Sequence, residues 1–192
     1  MRTSCVALAL VGLATAGQAH AAPSAKFLEG YTVDNISAVL RDLGATEVAQ
    51  QPIGGDPRLS FKIQGRVYIV DFYECADKAK GCKVLQFITA FESDPKDTVE
   101  AVNAFNKKYL YGKAALDKED GLLSMRMVNG REGSSDRHVA AEVGVLVGVT
   151  DVLLAHMKES AIAAYAPEPT TAQLALSPQH LIGRSHFVKN KR

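Results

Sequence analysis

The sequence has no tryptophan, three cysteines and almost no excess of charge of either sign. So few cysteines exclude a disulfide-dense scaffold. A formal net charge of +1 gives no general attraction toward nucleic acid, so we expect no nucleic-acid partner. Hydrophobic residues at 47% and charged residues at 22% exclude a wholly disordered or collagen-like chain. The 192 residues fit one ordinary domain with additional segments.

The short motifs by which common active sites are found are also missing. There is no Walker A sequence, G-x-G-x-x-G, H-E-x-x-H, G-x-S-x-G or EF-hand loop. His138 and Glu142 have the i, i+4 spacing of an exposed helix pair, and a metal site would need a third ligand. Ser134, Ser135 and Asp136 fit a helix N-terminus better than a catalytic triad. We therefore predict no catalytic residue, no cofactor site and no metal site.

Carboxylates at two places remain as enzymatic candidates. Asp71 and Glu74 belong to one predicted strand, and 117–120 is an acidic turn. The polarity of turns explains the second group, and strand alternation places Asp71 toward solvent. An enzyme would require an activity that is abolished by changing Asp71, His138 or Asp117.

A short apolar run at the N-terminus has the form of a targeting signal. Arg2 precedes the apolar residues 5–16, and Ala19-His20-Ala21 gives the small-x-small pattern of a signal-peptidase site. The run is shorter than the ~20 residues that span a bilayer. We predict a signal peptide over 1–21, cleavage after Ala21 and a periplasmic or secreted protein. Loss of Arg2 leaves basic and acidic residues equal in number, at 21 each.

Export would leave two cysteines, Cys75 and Cys82, with a polar loop between them. An oxidising compartment permits a disulfide, and closing so short a loop stabilises a fold by about 2–3 kcal/mol. Metal binding is the alternative, but C-x6-C lacks a second ligand pair and is not a redox C-x-x-C motif. We favour a structural disulfide.

Periodicity and turn signals predict alternating helical and extended segments. Thr32 is a candidate N-cap and Gly44 a candidate C-cap of a first helix, and Asp94, followed by Pro95, is a candidate N-cap of a second. The predicted helices cover 32–43, 94–108 and 135–165, and the predicted strands cover 59–63, 67–73, 84–91, 113–116 and 122–128. Residues 22–30 are a predicted leader, the domain covers 31–165, and 166–192 is a predicted flexible tail. The tail is basic, with Arg184, Lys189, Lys191 and Arg192 against Glu168.

The last predicted helix is apolar on more than one side. One face is expected in the core and holds Val139, Val143, Leu146, Thr150, Leu153 and Met157. A second face holds Val145, Val149 and Val152, and a third holds the small residues Ala140, Gly144, Gly148 and Ala155. Such a helix is central in its domain or has a partner on its second side, so a homodimer through 135–165 is one interpretation and core packing the other. Asp151 interrupts the apolar stretch, and we predict no transmembrane segment after the signal peptide.

One stretch resembles a known family. The matching features are Asn103, Phe105 and Asn106, then a basic-aromatic segment, an A-x-L-D strand ending at Asp117 and a turn at Asp120-Gly121. They are similar to the pattern of the YbjN domain family, described as bacterial sensory transduction regulators. Phe105 stands where that family commonly has Trp. The resemblance implies an α+β fold like type III secretion chaperones, an antiparallel sheet packed against helices in the order α-β-β-β-α-β-β-α. It implies no catalytic residues, and the motif residues Asn103, Phe105, Asn106, Asp117 and Gly121 are expected to be structural.

The sequence therefore predicts an exported, non-enzymatic, regulatory domain that acts by binding an unidentified protein partner. The alternative is a small-molecule or lipid carrier that uses a groove between the sheet and a helix.

Overall fold

The structure is a computed structural model that describes residues 25–51, 56–77, 80–95, 97–163 and 190, with the side chains of 161–163 excepted. The predicted signal peptide lies outside the described residues. Three helices are described, α1 Val33–Asp42, α2 Val99–Lys108 and α3 Asp136–Ala163. The strands are β1 Phe27–Leu28, β2 Thr46–Gln50, β3 Arg58–Ile63, β4 Arg66–Tyr73, β5 Val84–Phe91, β6 Lys113–Asp117, β7 Gly121–Asn129 and β8 Ser134–Ser135.

Six strands form one antiparallel sheet in the order β2-β3-β4-β5-β7-β6. All three helices pack on one face of this sheet, where Phe61, Phe87 and Leu122 are fully buried with residues from the helices. The predicted α+β class and antiparallel sheet are confirmed, and the predicted order of elements is present with β1, β2 and β8 added.

The N-cap of α1 forms as the sequence predicts, whereas the C-cap is Leu43 and the predicted cap residue Gly44 follows it. The Thr32 side chain accepts from the Asn35 amide at 3.1 Å, and the Asn35 side chain accepts from the Thr32 amide at 3.0 Å. This reciprocal capping box satisfies two amides that an N-terminus would otherwise leave unpaired. Gly44 adopts a positive φ of 81° just after the helix, the left-handed conformation that glycine supplies at a C-terminus.

The predicted start of α2 is wrong. Asp94 does not cap the helix, because its carbonyl accepts from the Asp97 amide at 2.8 Å and its own amide donates to the Asp97 carboxylate. These two bonds close a turn before the helix. Thr98 is the N-cap, and its hydroxyl accepts from the Ala101 amide at 3.1 Å.

Part of the predicted leader belongs to the fold. β1 pairs with β8 in a separate two-stranded sheet, and Leu28 is buried. Tyr31 is fully buried and exchanges backbone hydrogen bonds of 2.8 and 2.9 Å with Cys82. The folded region therefore begins before residue 31.

The inner face of α3 is the predicted one. Val139, Val143, Leu146, Thr150, Leu153 and Met157 are all buried. Residues 136–160 are also long and apolar enough, by length and composition, to cross a membrane. Signal sequences and core helices of soluble proteins pass the same test, and the inner face of α3 packs against the sheet.

Of the predicted tail, Asn190 is the one residue that the structure describes. It is buried and hydrogen-bonded to β4 and β5, so the chain is not free at this position.

Candidate functional site

The family-motif residues lie where α2 meets β6. The Asn106 side chain donates to the Ala114 carbonyl and accepts from the Ala114 amide, both at 2.8 Å. An asparagine amide here replaces a strand partner, because it presents one donor and one acceptor side by side. Asn103, one turn earlier, is exposed.

The aromatic position of the motif is in the core. Phe105 is fully buried, and its ring centroid lies 4.8 Å from that of Tyr109 and 5.7 Å from that of His156 on α3. The His156 Nε2 atom is 3.0 Å from the Ala101 carbonyl. Phe105 therefore joins α2 to α3 by ring packing rather than facing a ligand.

Asp117 and Gly121 build the β6–β7 turn. The Asp117 carboxylate accepts from the amides of Glu119 and Asp120 at 2.7 and 2.9 Å. Gly121 has φ +82°, and a Cβ at this position would lie 2.1 Å from the Phe91 carbonyl oxygen. The carboxylate of Asp117, an enzymatic candidate, is thus hydrogen-bonded within the β6–β7 turn.

The prediction that Asp71 faces solvent is wrong. Asp71 is buried on the sheet face opposite the helices, where its carboxylate receives both Nε and Nη2 of Arg58. The two residues are direct partners across β3 and β4. The alternation of side chains along β4 correctly places Asp71 on the sheet face away from the helices, but that face is also buried at this position. A two-point hydrogen-bonded pair with a guanidinium gives this carboxylate a structural role.

The Cys75–Cys82 disulfide is present. It closes the loop between β4 and β5, and Cys82 is fully buried beside Tyr31. Burial raises the pKa of Tyr31, and the Ser134 hydroxyl opposes that shift. The loop thus holds the N-terminal segment against the end of the sheet.

Arg131 crosses from the β7–β8 loop to the disulfide loop. Its Nε donates to Glu74 Oε2 at 2.9 Å, and its Nη2 donates to Oε1 of the same carboxylate. The hydrogen bond from Arg131 lowers the pKa of Glu74. Both side chains are solvent-exposed, so the pair orients two loops more than it stabilises the fold.

A shallow cavity of about 430 Å³ lies next to this loop. Its lining includes Asp56, Tyr73, Glu74 and Asp77. The cavity lies at the end of β4 and not between the sheet and a helix, so it is not the groove expected for a carrier. Among the described residues, no group of three His, Cys, Asp or Glu is placed to hold a metal ion.

His138 and Glu142 form the predicted i, i+4 pair, with 3.8 Å between His138 Nε2 and Glu142 Oε1. Arg126 of β7, which sequence reasoning did not place here, donates to the Glu142 carboxylate and to the Tyr111 carbonyl. Arg126 therefore ties the segment after α2 to α3. The catalytic candidates Asp71, Asp117 and His138 each have separate structural partners and form no common site.

The outer side of α3 presents a stripe of apolar and small residues that the other described elements leave open. Ala141, Gly148, Val152 and Ala155 are exposed and Val145 is half-buried, at successive spacings of four and three residues. We call these five residues the outer seam. At Gly144 and Gly148 nothing lies within 4 Å of where a Cβ would stand. The seam is a heptad-like stripe whose small residues permit close approach of another helix.

Two exposed side chains extend this surface. Leu110 and Tyr111 are 79% and 72% exposed and precede Gly112, which packs against Val149 of α3. A Cβ at position 112 would lie 2.5 Å from Val149 Cγ1, so glycine lets this segment reach the helix. Of the predicted small-residue strip, Ala140 packs on the core and the other three members are exposed.

Comparison with known proteins supports a family assignment. No curated protein matches this chain. A crystal structure of an uncharacterized protein from Methanothermobacter thermautotrophicus is similar with a TM-score of 0.48 and 12% identity, covering 66% of this chain and 96% of the other. The crystal structure of YbjN from E. coli, described as a putative transcription regulator, is similar with a TM-score of 0.50 and 16% identity, covering 72% of this chain and 97% of the other. The family model of YbjN, "Putative bacterial sensory transduction regulator", matches residues 32–164. The chain, with its Asn106–Ala114 hydrogen bonds, its Gly121 turn and its six-stranded sheet, thus belongs to the YbjN family.

Proposed function

We propose that this protein is an exported, non-enzymatic regulatory module that acts by protein–protein contact, with the outer seam of α3 as the contact surface. The observation that carries the proposal is the seam itself, an apolar stripe on the side of α3 that faces away from the core. The family is described as regulatory. The structural contacts made by the catalytic candidates Asp71, Asp117 and His138 are consistent with a regulatory role.

Export is supported by the N-terminal targeting pattern of 1–21 and by the Cys75–Cys82 disulfide. Disulfides persist in the periplasm and outside the cell but are rare in a reducing cytosol. We place the mature protein in the periplasm or outside the cell, with no membrane span after the signal peptide. Titration of free thiols in the unfolded, unreduced mature protein should find none, and two reactive thiols would contradict both the disulfide and this location.

The first partner we propose is a second copy of the chain. A stripe spaced by four and three residues is complementary to itself when two helices cross at a small angle. Gly144 and Gly148 let the two backbones approach closely. The balance of charge in the mature chain favours a protein over a nucleic acid as partner, although the E. coli relative is described as a transcription regulator.

Sedimentation of the mature protein at high micromolar concentration tests the seam. We expect a mass twice that of the chain, and Val152→Arg should give the monomer because a charge in the seam would be buried without a partner. Leu43→Arg is the matched control, since Leu43 is an exposed apolar side chain at the end of α1. A monomeric wild-type protein, or an equal effect of both substitutions, would overturn the proposal.

A further inference from the structure

The face of the sheet opposite the helices carries an apolar cluster that no described element covers. Ile69, Ile88, Ala90 and Leu123 are at most 4% exposed, and Ala115 and Met125 pack at the margin of the cluster. No helix residue belongs to this cluster, whereas both other clusters contain residues of α3. We call these six residues the helix-free face. Something other than the three helices therefore keeps water from this face.

Asn190 identifies the chain segment that reaches this region. The β4–β5 pairing ends at Ile69 and Ile88, and beyond it Asn190 lies between the two strands. Its Oδ1 accepts from the Val67 amide at 2.7 Å, and its Nδ2 lies 3.0 Å from the Val67 carbonyl and 3.1 Å from the Ala90 carbonyl. Its backbone amide donates to the Ala90 carbonyl at 3.0 Å, and its carbonyl accepts from the Glu92 amide at 3.4 Å.

Asn190 is thus fixed at the border of the helix-free face by both its backbone and its side chain. The side-chain amide pairs with the donor and the acceptor of Val67 as a strand would, which is possible because its two ends differ in hydrogen-bonding character. A residue near the end of the chain that is held by so many hydrogen bonds positions the residues before it.

We infer that the segment 164–189 lies across the helix-free face and is its occupant. The segment contains suitable apolar residues, namely Leu174, Leu176, Leu181, Ile182, Phe187 and Val188. Its length is ample, since an extended chain advances about 3.3 Å per residue and six strands are about 25–30 Å across. Val188 stands two residues before Asn190, and Ala90 of the helix-free face is itself a hydrogen-bond partner of Asn190. The C-terminal region is in this proposal a structural part of the domain and not a solvated tail.

A photocrosslinking amino acid at position 125 tests which segment occupies the face. Met125 is half-buried at the margin of the cluster, so a substitution there tolerates a new side chain better than one at Ile88 or Leu123. Isotopically light and heavy full-length chains are mixed before irradiation, so that crosslinks within one chain and between two chains differ in mass. We expect a crosslink within one chain to peptides of 164–189. Crosslinks to residues 1–24, crosslinks between chains, or no crosslink to 164–189 would overturn the inference.

Hydrogen exchange tests the anchor without deleting any part of the chain. Asn190→Ala removes the acceptor of the Val67 amide, so the exchange rate of this amide should rise at least tenfold. Lys191→Ala, at the neighbouring position, is the matched control and should leave the rate unchanged. An unchanged rate for Val67 in Asn190→Ala would show that Asn190 does not hold the segment there.

Discussion

The side chain of Asn106 pairs with the backbone of Ala114 through two hydrogen bonds of 2.8 Å, one in each direction. Asn106 lies in the last turn of α2, and Ala114 is the second residue of the edge strand β6. This clasp joins helix and strand across the exposed segment that contains Leu110 and Tyr111. It fixes the position of that segment beside the outer seam of α3.

Replacing Asn106 with Ala should lower the free energy of unfolding by about 1–3 kcal/mol, because both backbone groups of Ala114 lose their partner in a partly buried place. Asn103→Ala is the matched control, since Asn103 belongs to the same motif but is exposed. We expect the control to change stability by less than about 0.5 kcal/mol. Urea unfolding of the three proteins measures the difference, and equal values for the two variants would refute a structural role for the clasp.

Gly121→Ala should be strongly destabilising for two independent reasons. The residue has φ +82°, and a Cβ there would lie 2.1 Å from the Phe91 carbonyl oxygen, so both the backbone and the turn must shift. Gly65→Ala is the control, because Gly65 has φ +76° but open space around its Cβ position. Left-handed backbone alone costs about 1–2 kcal/mol, so Gly65→Ala should lose about that much and Gly121→Ala clearly more. Thermal unfolding checks the order, and an equal loss in both would contradict the close approach at Phe91.

Local signals in the sequence predicted the elements that local physics decides. Thr32 and Asn35 cap α1 within one turn, and six residues with helical spacing mark the inner face of α3. The predicted start of α2 was wrong because two possible N-cap residues, Asp94 and Thr98, lie within five residues of each other. Asp94-Pro95 forms a turn with Asp97, and Thr98 then caps the helix.

Elements that depend on distant partners could not be predicted from local pattern. β2 has a single half-buried residue, Val48, and exists through its pairing with β3. β1 needs β8, which lies more than a hundred residues away in the sequence. The burial of Asp71 depends on its pairing with Arg58 and on the burial of the helix-free face, and the alternation of residues along one strand predicts neither. The motif residues were found by resemblance, but their partners Ala114 and Phe91 became visible only in the fold.

Asp71→Ala should destabilise the protein by about 1–3 kcal/mol, because it removes the carboxylate that accepts two hydrogen bonds from the buried Arg58 guanidinium. The double substitution of Arg58→Met with Asp71→Leu should recover most of this loss, since neither charge of the pair then remains buried. Urea unfolding of both variants and the wild type tests the pair. A double variant that is less stable than Asp71→Ala would show that the ion pair contributes more than apolar packing can replace.

The exposed Glu74–Arg131 pair gives a pH-dependent signature that is independent of the core. The hydrogen bond from Arg131 lowers the pKa of Glu74 from its ordinary value of 4.5. A carboxyl whose pKa is lowered in the folded state binds fewer protons there than in the unfolded chain. Its contribution to the free energy of unfolding is therefore present above the unfolded pKa and is lost as the pH falls through the folded pKa.

Titration of the Glu74 side-chain carbonyl carbon by NMR should give a pKa below 4.5, which rises in Arg131→Gln. Lys62→Gln, which breaks the exposed pair with Glu47 in another part of the sheet, is the control and should leave the pKa of Glu74 unchanged. Added salt should weaken the shift because both partners are in solvent. A pKa of Glu74 that is the same with and without Arg131 would show that the two loops are not joined in solution.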